Sequence, residues 1–132
     1  MAAENEGAIA SGAWAREEKA TCEPPAAETR RVVYRDTRGR IRKFVTEGGS
    51  DDSAYRLEHQ YDEDGRLRFV FGRAGAVNHA VVEHRLYMDE GGGVLWRDRR
   101  QEGPAYTFAE EWPDAFLVRE PGRAWEAPKR CR

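Results

Sequence analysis

Apolar and polar residues alternate along the central part of the chain, in short runs separated by polar turns that contain glycine. The clearest example is Ser53–Arg73, in which two alternating runs flank the turn Asp62-Glu63-Asp64-Gly65. A period of two is typical of strands with one buried face, and a short turn of this composition joins the two strands of a hairpin. The pattern predicts a β-hairpin, one face of which carries Tyr55, Leu57, His59 and Tyr61 on the first strand and Leu67, Phe69 and Phe71 on the second.

The turn of this hairpin belongs to a pattern, D-x-x-G-x-[ILV], that occurs three times at intervals of about 26 residues. An aspartate side chain accepts backbone hydrogen bonds within a tight turn, and glycine adopts the positive φ that closes it. Each copy predicts one strand–turn–strand unit, and three units predict an antiparallel meander of about six strands. The predicted turn residues are Asp36, Gly39, Asp62, Gly65, Asp89 and Gly92.

The second copy, Tyr61–Leu67, reads Y-D-x-x-G-R-L and resembles the YD repeat of RHS-type proteins. The segments 35–41 and 88–94 keep part of that pattern: the first has Arg35 in place of the tyrosine, and the second keeps the aspartate, a glycine and an apolar residue. The resemblance covers these three short segments only. It implies the geometry of the hairpins and no particular activity.

The chain divides into three parts that we expect to form a single domain over residues 1–132. Residues 1–27 are rich in Ala, Glu and Gly, and either a short helix around Ala13–Ala20 or an irregular arm fits them. Residues 28–100 carry the strand pattern. Residues 101–132 hold four of the six prolines and several aromatic residues, with a helical turn expected at about Pro113–Val118. The sequence predicts an all-β domain whose irregular arms pack on one face of the meander.

Charge narrows the range of partners. Charged residues make up 35% of the chain, but the net charge is only −2, which disfavours a dedicated nucleic-acid or membrane-surface protein. The basic stretch Arg30–Lys43 could contact phosphates, or it could form the solvated outer face of a strand pair with acidic residues opposite. No apolar run approaches the roughly 18 residues of a membrane-spanning helix.

The two cysteines, Cys22 and Cys131, lie outside the patterned centre, one near each end of the chain. In a periplasmic or secreted protein such a pair predicts one disulfide that joins the two ends. We expect export on this basis, to the periplasm or the exterior, and the given chain itself shows no signal peptide. The alternative is a cytoplasmic protein with two free thiols.

Candidate chemistry is sparse. His59 and His84 share the parity of apolar neighbours on predicted strands three and five, so with Tyr61 they could line a ligand-binding cleft. The alternative is that each histidine is hydrogen-bonded on a half-buried face. The acidic turn Asp62–Asp64 does not fit a calcium loop, because Phe71 stands where the bidentate Glu is required. We predict no metal site and no cofactor.

These observations favour a non-enzymatic exported or periplasmic protein that binds another protein or an envelope component. An inhibitor or immunity-type protein would fit equally well. The first alternative is a small ligand-binding protein or enzyme with a cleft around His59 and His84. The second, an arginine-based nucleic-acid binder, is disfavoured by the charge balance.

Overall fold

A single open β-sheet dominates the computed structural model, which describes residues 14–21, 29–49, 53–104, 108 and 112–126. Seven strands follow one another in chain order, and every neighbouring pair is antiparallel. The predicted all-β meander with three D-x-x-G hairpins is confirmed. The strands are β1 (Ala15–Thr21), β2 (Thr29–Arg35), β3 (Ile41–Gly49), β4 (Ser53–Tyr61), β5 (Leu67–Ala76), β6 (Val81–Met88) and β7 (Val94–Glu102).

The N-terminal arm contains a strand where the sequence suggested a short helix or an irregular segment. β1 pairs with β2 along its whole length, and its Glu17 and Glu18 bind Arg35 and Arg30 of β2. Backbone pairing and cross-strand ion pairs outweigh the helix propensity of the Ala, Glu and Lys residues in this stretch. The segment therefore extends the sheet instead of packing on one of its faces. The predicted disulfide between Cys22 and Cys131 lies outside the described residues.

The three predicted turns adopt the same geometry. In the second, the Asp62 N–H donates to the Arg66 carbonyl at 3.0 Å, and the Gly65 N–H donates to the Asp62 carbonyl at 3.1 Å. The turns that begin at Asp36 and Asp89 repeat both hydrogen bonds. The fourth residue of each turn has a positive φ, between 79° and 90°, which glycine adopts without steric cost.

Each of these hairpins also contains a β-bulge directly after its turn. In the second hairpin Tyr61 pairs with Leu67 and Gln60 pairs with Phe69, so Arg68 has no partner residue opposite it. The same shift leaves Arg42 and Leu95 as the bulge residues of the other two hairpins. Because one extra residue reverses the alternation of side chains, Val70 rather than Phe69 follows Leu67 on the core face. The prediction that Phe69 and Phe71 share a face with Leu67 is therefore wrong.

The C-terminal part of the chain covers one face of the sheet, which we call the inner face. A 3₁₀ turn at Asp114–Phe116 replaces the longer helical turn expected there, and the sequence did not predict the short helix α1 (Pro121–Glu126). Trp125 of α1 completes a core that otherwise comes from the strands: Val33, Ile41, Phe44, Leu57, Tyr61, Leu67, Val70, Leu86 and Met88. The opposite face is called the outer face below.

The connection between β5 and β6 forms the same kind of turn, but a residue other than glycine occupies the fourth position, where φ is positive. The Ala76 N–H donates to the Ala80 carbonyl at 2.9 Å, and the His79 N–H donates to the Ala76 carbonyl at 3.0 Å, which repeats both backbone hydrogen bonds of the other turns. His79 takes the place of the glycine and has φ 71°. A residue with a Cβ atom is disfavoured in this left-handed conformation by roughly 1–2 kcal/mol.

Two substitutions at equivalent turn positions should have opposite effects. Gly65→Ala should lower the free energy of unfolding by about 1 kcal/mol, because an added Cβ meets no atom within 4 Å and the cost is the positive φ alone. His79→Gly should raise it by up to about 1 kcal/mol, since it relieves the same strain. Urea denaturation of both variants checks this. Equal destabilisation by the two substitutions would contradict the proposed equivalence of the turns.

Candidate functional site

Arginines connect the first hairpin to the second and the second to the third. Asp62 Oδ2 accepts from Arg66 Nε at 3.0 Å and lies 3.5 Å from Arg68 Nη1, while Arg68 Nε donates to the Met88 carbonyl at 3.1 Å. The bulge residue of one hairpin therefore holds the end of the next hairpin's first strand. In the first hairpin, the bulge residue Arg42 makes the same contact with the Tyr61 carbonyl at 3.0 Å.

The turn carboxylates are held in their ionised form. Partial burial alone would raise the pKa of Asp62, but hydrogen bonds from the Arg66 backbone, the Arg66 side chain and the Asp64 backbone reverse this effect. The pKa of Asp62 therefore lies below its ordinary value. The pKa of Asp36 is lowered for the same reasons, by hydrogen bonds from Arg40 and Arg38. These acids stabilise turns and the arginines that cross between hairpins, which agrees with the prediction that they are turn residues.

The third hairpin lacks the arginine contacts that join the first two hairpins to their neighbours. Gly93 and Leu95 stand where the earlier hairpins have their two arginines, and β7 is the last strand of the sheet. Leu95, the bulge residue, therefore has no further strand beside it among the described residues, and it is 72% exposed. Val94 and Trp96 on either side are 44% and 55% exposed. The final edge of the sheet thus presents three consecutive apolar residues to solvent.

An aromatic strip on the outer face runs into this edge. It consists of Phe69, Tyr87 and Trp96, which are directly opposite one another on β5, β6 and β7. The ring centres of Phe69 and Tyr87 are 4.9 Å apart, and those of Tyr87 and Trp96 are 5.3 Å apart. Side-chain exposure increases toward the edge, since Phe69 is half-buried and Trp96 is exposed. The reversal of alternation at the bulges places Phe69 and Trp96 on the outer face beside Tyr87, which is why sequence alternation alone did not find this row.

The two edges of the sheet differ in character. After its first residue, Ala15, β1 carries four charged residues in a row, Arg16 to Lys19, and charged residues on an edge strand discourage pairing with another chain. β7 begins with Val94, Leu95 and Trp96 and carries charges only further along. The β7 edge, which we define as these three residues together with Tyr87, is therefore the open edge of the sheet.

The candidate residues His59 and Tyr61 hold the C-terminal segment on the inner face. His59 Nε2 accepts a hydrogen bond from the Val118 N–H at 3.0 Å, and Tyr61 Oη donates to the Val118 carbonyl at 2.7 Å. Both side chains are fully buried. Burial lowers the pKa of His59 to about 4, against a smaller opposing effect of the Phe44 and Phe116 backbone, and it raises the pKa of Tyr61. Both groups are therefore neutral at pH 7.

His84 occupies a different environment on the same face. Its ring meets Trp112 edge to face, with ring centres 5.6 Å apart. Trp112 lies close over Gly72 of β5, where an added Cβ would come within 2.8 Å of the tryptophan ring. Partial burial, with smaller contributions from Arg99 and Arg97, lowers the pKa of His84. His59 and His84 thus each pack against the C-terminal segment, which is the hydrogen-bonded or half-buried role considered as the alternative to a cleft.

Acidic partners surround the basic stretch Arg30–Lys43. Lys43 is buried on the outer face, where it binds Glu58 at 3.1 Å and lies 5.8 Å from the centre of the Tyr34 ring. Arg30, Arg35 and Arg40 pair with Glu47, Glu17 and Asp36. Because these basic side chains form ion pairs within the sheet, the stretch resembles a charge-paired strand face more than a surface that binds the phosphates of a nucleic acid.

No group of three or more His, Cys, Asp or Glu residues that could hold a metal ion occurs in the described part of the chain. Among the described residues, no helix is long and apolar enough to cross a membrane. Comparisons of the chain with protein-family models, with curated proteins and with solved structures gave no match.

Tyr61 and His59, the clamp on Val118, are both buried, and the lowered pKa of His59 predicts a specific pH dependence of stability. Because the folded-state pKa of His59 is about 4 and its ordinary value is 6.5, its contribution is complete above pH 6.5 and is lost as the pH falls toward 4. The loss should reach about 3 kcal/mol in the free energy of unfolding. His59→Gln can keep an acceptor for the Val118 N–H but does not titrate.

Urea denaturation of this variant and of the wild type, at about pH 7 and about pH 4.5, measures the effect. The wild type should lose more stability than His59→Gln over this range. His79→Gln, at an exposed turn position, is the control and should behave like the wild type. The same pH dependence in His59→Gln and wild type would contradict the assignment.

Proposed function

We propose that this protein is a non-enzymatic binding protein that takes up an extended segment of a partner protein along the β7 edge. The observation that carries the proposal is the run Val94–Trp96, exposed on an edge strand whose outer backbone groups have no strand beside them in the described sheet. An edge of this kind binds a peptide by strand addition, in which backbone hydrogen bonds supply affinity and alternate side chains supply specificity.

The aromatic strip supplies the side-chain contacts of such an interface. A strand added beside β7 would place one residue opposite Trp96, at the end of the row formed by Phe69 and Tyr87. Tyrosine, tryptophan and arginine dominate the binding energy of protein interfaces. Further along the same face of β7, Arg100 is exposed. We infer that the partner segment carries an aromatic or long aliphatic residue opposite Trp96 and an acidic residue opposite Arg100.

A second copy of the chain fits the edge less well. Asp98 is the midpoint of β7, so antiparallel overlap along the whole strand would place Asp98 opposite Asp98 and Arg97 opposite Arg99. Like charges directly opposite each other destabilise a strand pair. A segment of a different protein, with acidic residues opposite these arginines, avoids that repulsion. An inhibitor or immunity-type protein would fit this proposal equally well, and an exported partner is proposed on the same basis as export of this chain.

Selection from a phage-displayed library of random peptides tests this directly. The selected sequences should share an aromatic or long aliphatic residue and an acidic residue four positions apart, because Trp96 and Arg100 are four residues apart on one face of β7. A synthetic peptide with this pattern should shift the NMR signals of β7 amides. Trp96→Ser should weaken its binding by about tenfold or more.

Phe116→Ser is the matched control, since Phe116 is 56% exposed and Trp96 is 55% exposed but the first lies on the C-terminal segment. It should leave peptide binding unchanged. The proposal fails if Trp96→Ser binds like the wild type, or if the shifted signals lie away from β6 and β7. A dimer in light scattering that Trp96→Ser abolishes would instead assign the edge to a second copy.

A further inference from the structure

The inner face holds a cavity that the β7 edge does not involve. It lies between strands β2–β4 and the C-terminal segment, and its volume is about 440 Å³. Protein interiors are close-packed and contain few voids larger than a water molecule. A cavity of this volume falls within the range of about 300–1,000 Å³ that is typical of small-molecule sites. It is therefore a candidate binding site.

Aromatic rings form much of the wall of this cavity. Tyr55 and Trp112 meet edge to face, with ring centres 6.4 Å apart, and Phe44 and Phe116 contribute two more rings. Leu57 adds aliphatic surface between them and the sheet. Aromatic rings prefer edge-to-face or offset stacked neighbours, so a further ring placed in the cavity would find partners of the preferred kind.

Contacts within the chain hold this wall in place. Trp112 lies so close over Gly72 that an added Cβ there would come within 2.8 Å of its ring. Val118, which also lines the cavity, is held by its hydrogen bonds with His59 and Tyr61. A wall that is already ordered adds little entropic cost when a ligand binds, and it suits a rigid ligand best.

The chemistry of the wall favours a ligand without charge. Most of the lining side chains are apolar and cannot hydrogen-bond to an ion. Arg31 also lines the cavity, but it is already engaged in an interaction within the chain. A charged ligand would therefore lose its hydration against a largely apolar surface, which is costly unless new polar partners replace the water. Apolar cavities, in contrast, bind aromatic molecules readily.

We propose that the cavity binds a small, neutral and rigid molecule that contains one or two aromatic rings. Its rings would contact Tyr55 and Trp112, and Leu57 would cover the remaining apolar surface of the ligand. The proposal does not rest on the peptide interface at the β7 edge, which lies on a different part of the sheet.

Fluorescence titration with N-phenyl-1-naphthylamine, a neutral probe that emits more strongly in apolar surroundings, tests the proposal. The probe should bind saturably. Naphthalene should displace it at a concentration about tenfold or more below that required of 2-naphthoate or of 2-naphthylmethylammonium, because each ion must be desolvated. Decanol has as many carbon atoms as naphthalene but no ring, and it should be about threefold or more weaker than naphthalene.

NMR of the wild-type protein locates the ligand without any substitution. The indole N–H signal of Trp112 should shift on addition of naphthalene, and that of Trp96 in the aromatic strip should not. Ala124→Phe, which adds volume to the cavity wall, should weaken the binding of both neutral aromatic probes. Ala115→Phe is the matched control, because Ala115 is exposed on the 3₁₀ turn of the same segment and should leave binding unchanged.

Absence of saturable probe binding would overturn the proposal. So would displacement by either naphthyl ion at a concentration equal to or below that of naphthalene, or by decanol as readily as by naphthalene. A shift of the Trp96 signal in place of the Trp112 signal, or equal binding by Ala124→Phe and Ala115→Phe, would overturn the assignment to this cavity. None of these outcomes bears on peptide binding at the β7 edge, so each proposal can fail without the other.

Discussion

The carboxylate of the turn aspartate is the group on which the sheet depends. In the second hairpin, Asp62 Oδ1 accepts the N–H groups of Asp64 and Arg66, while Oδ2 engages Arg66 and Arg68. One side chain therefore fixes the turn and holds the arginine that reaches the next strand pair. Because Arg68 is also the bulge residue, the same arrangement decides which side chains of β5 face the core. Turn, register and core are thus determined together.

Two different surfaces follow from that arrangement. On the inner face, the strands bury an apolar core against the C-terminal segment, and the cavity beside Arg31 lies between the two. On the outer face, the reversed alternation places Phe69 and Trp96 in one row with Tyr87, and this row ends at the open edge. The arginine contacts between hairpins stop at the third copy, where Leu95 occupies the bulge. The interface proposed for a partner therefore lies where the repeated structure ends.

Sequence reasoning found the features that local chemistry decides and missed those that distant contacts decide. Alternation and the D-x-x-G pattern identified six of the strands, their order and all three hairpin turns. A bulge leaves no mark in the alternation itself, although the arginine three residues after the turn glycine, Arg42 and Arg68 in the first two hairpins, could have signalled it. β1 forms because its backbone pairs with β2 and its acidic side chains bind arginines of β2, and neither contact is visible in the local sequence. The alternation assigned His59 to the apolar face of its strand, but its partner Val118 is 59 residues away, so its role as a neutral acceptor could not be deduced.

Amide hydrogen exchange in the free protein tests the central claim most directly, because it compares the joined hairpins with the open edge strand by strand. The account predicts that the amides that form hydrogen bonds between β4 and β5, including those around Asp62, exchange with solvent only through global unfolding. It also predicts that the β7 amides that do not bond to β6 exchange fastest among the strands from β2 onward. Protection of these β7 amides equal to that of the β4–β5 amides, in a monomer, would contradict it.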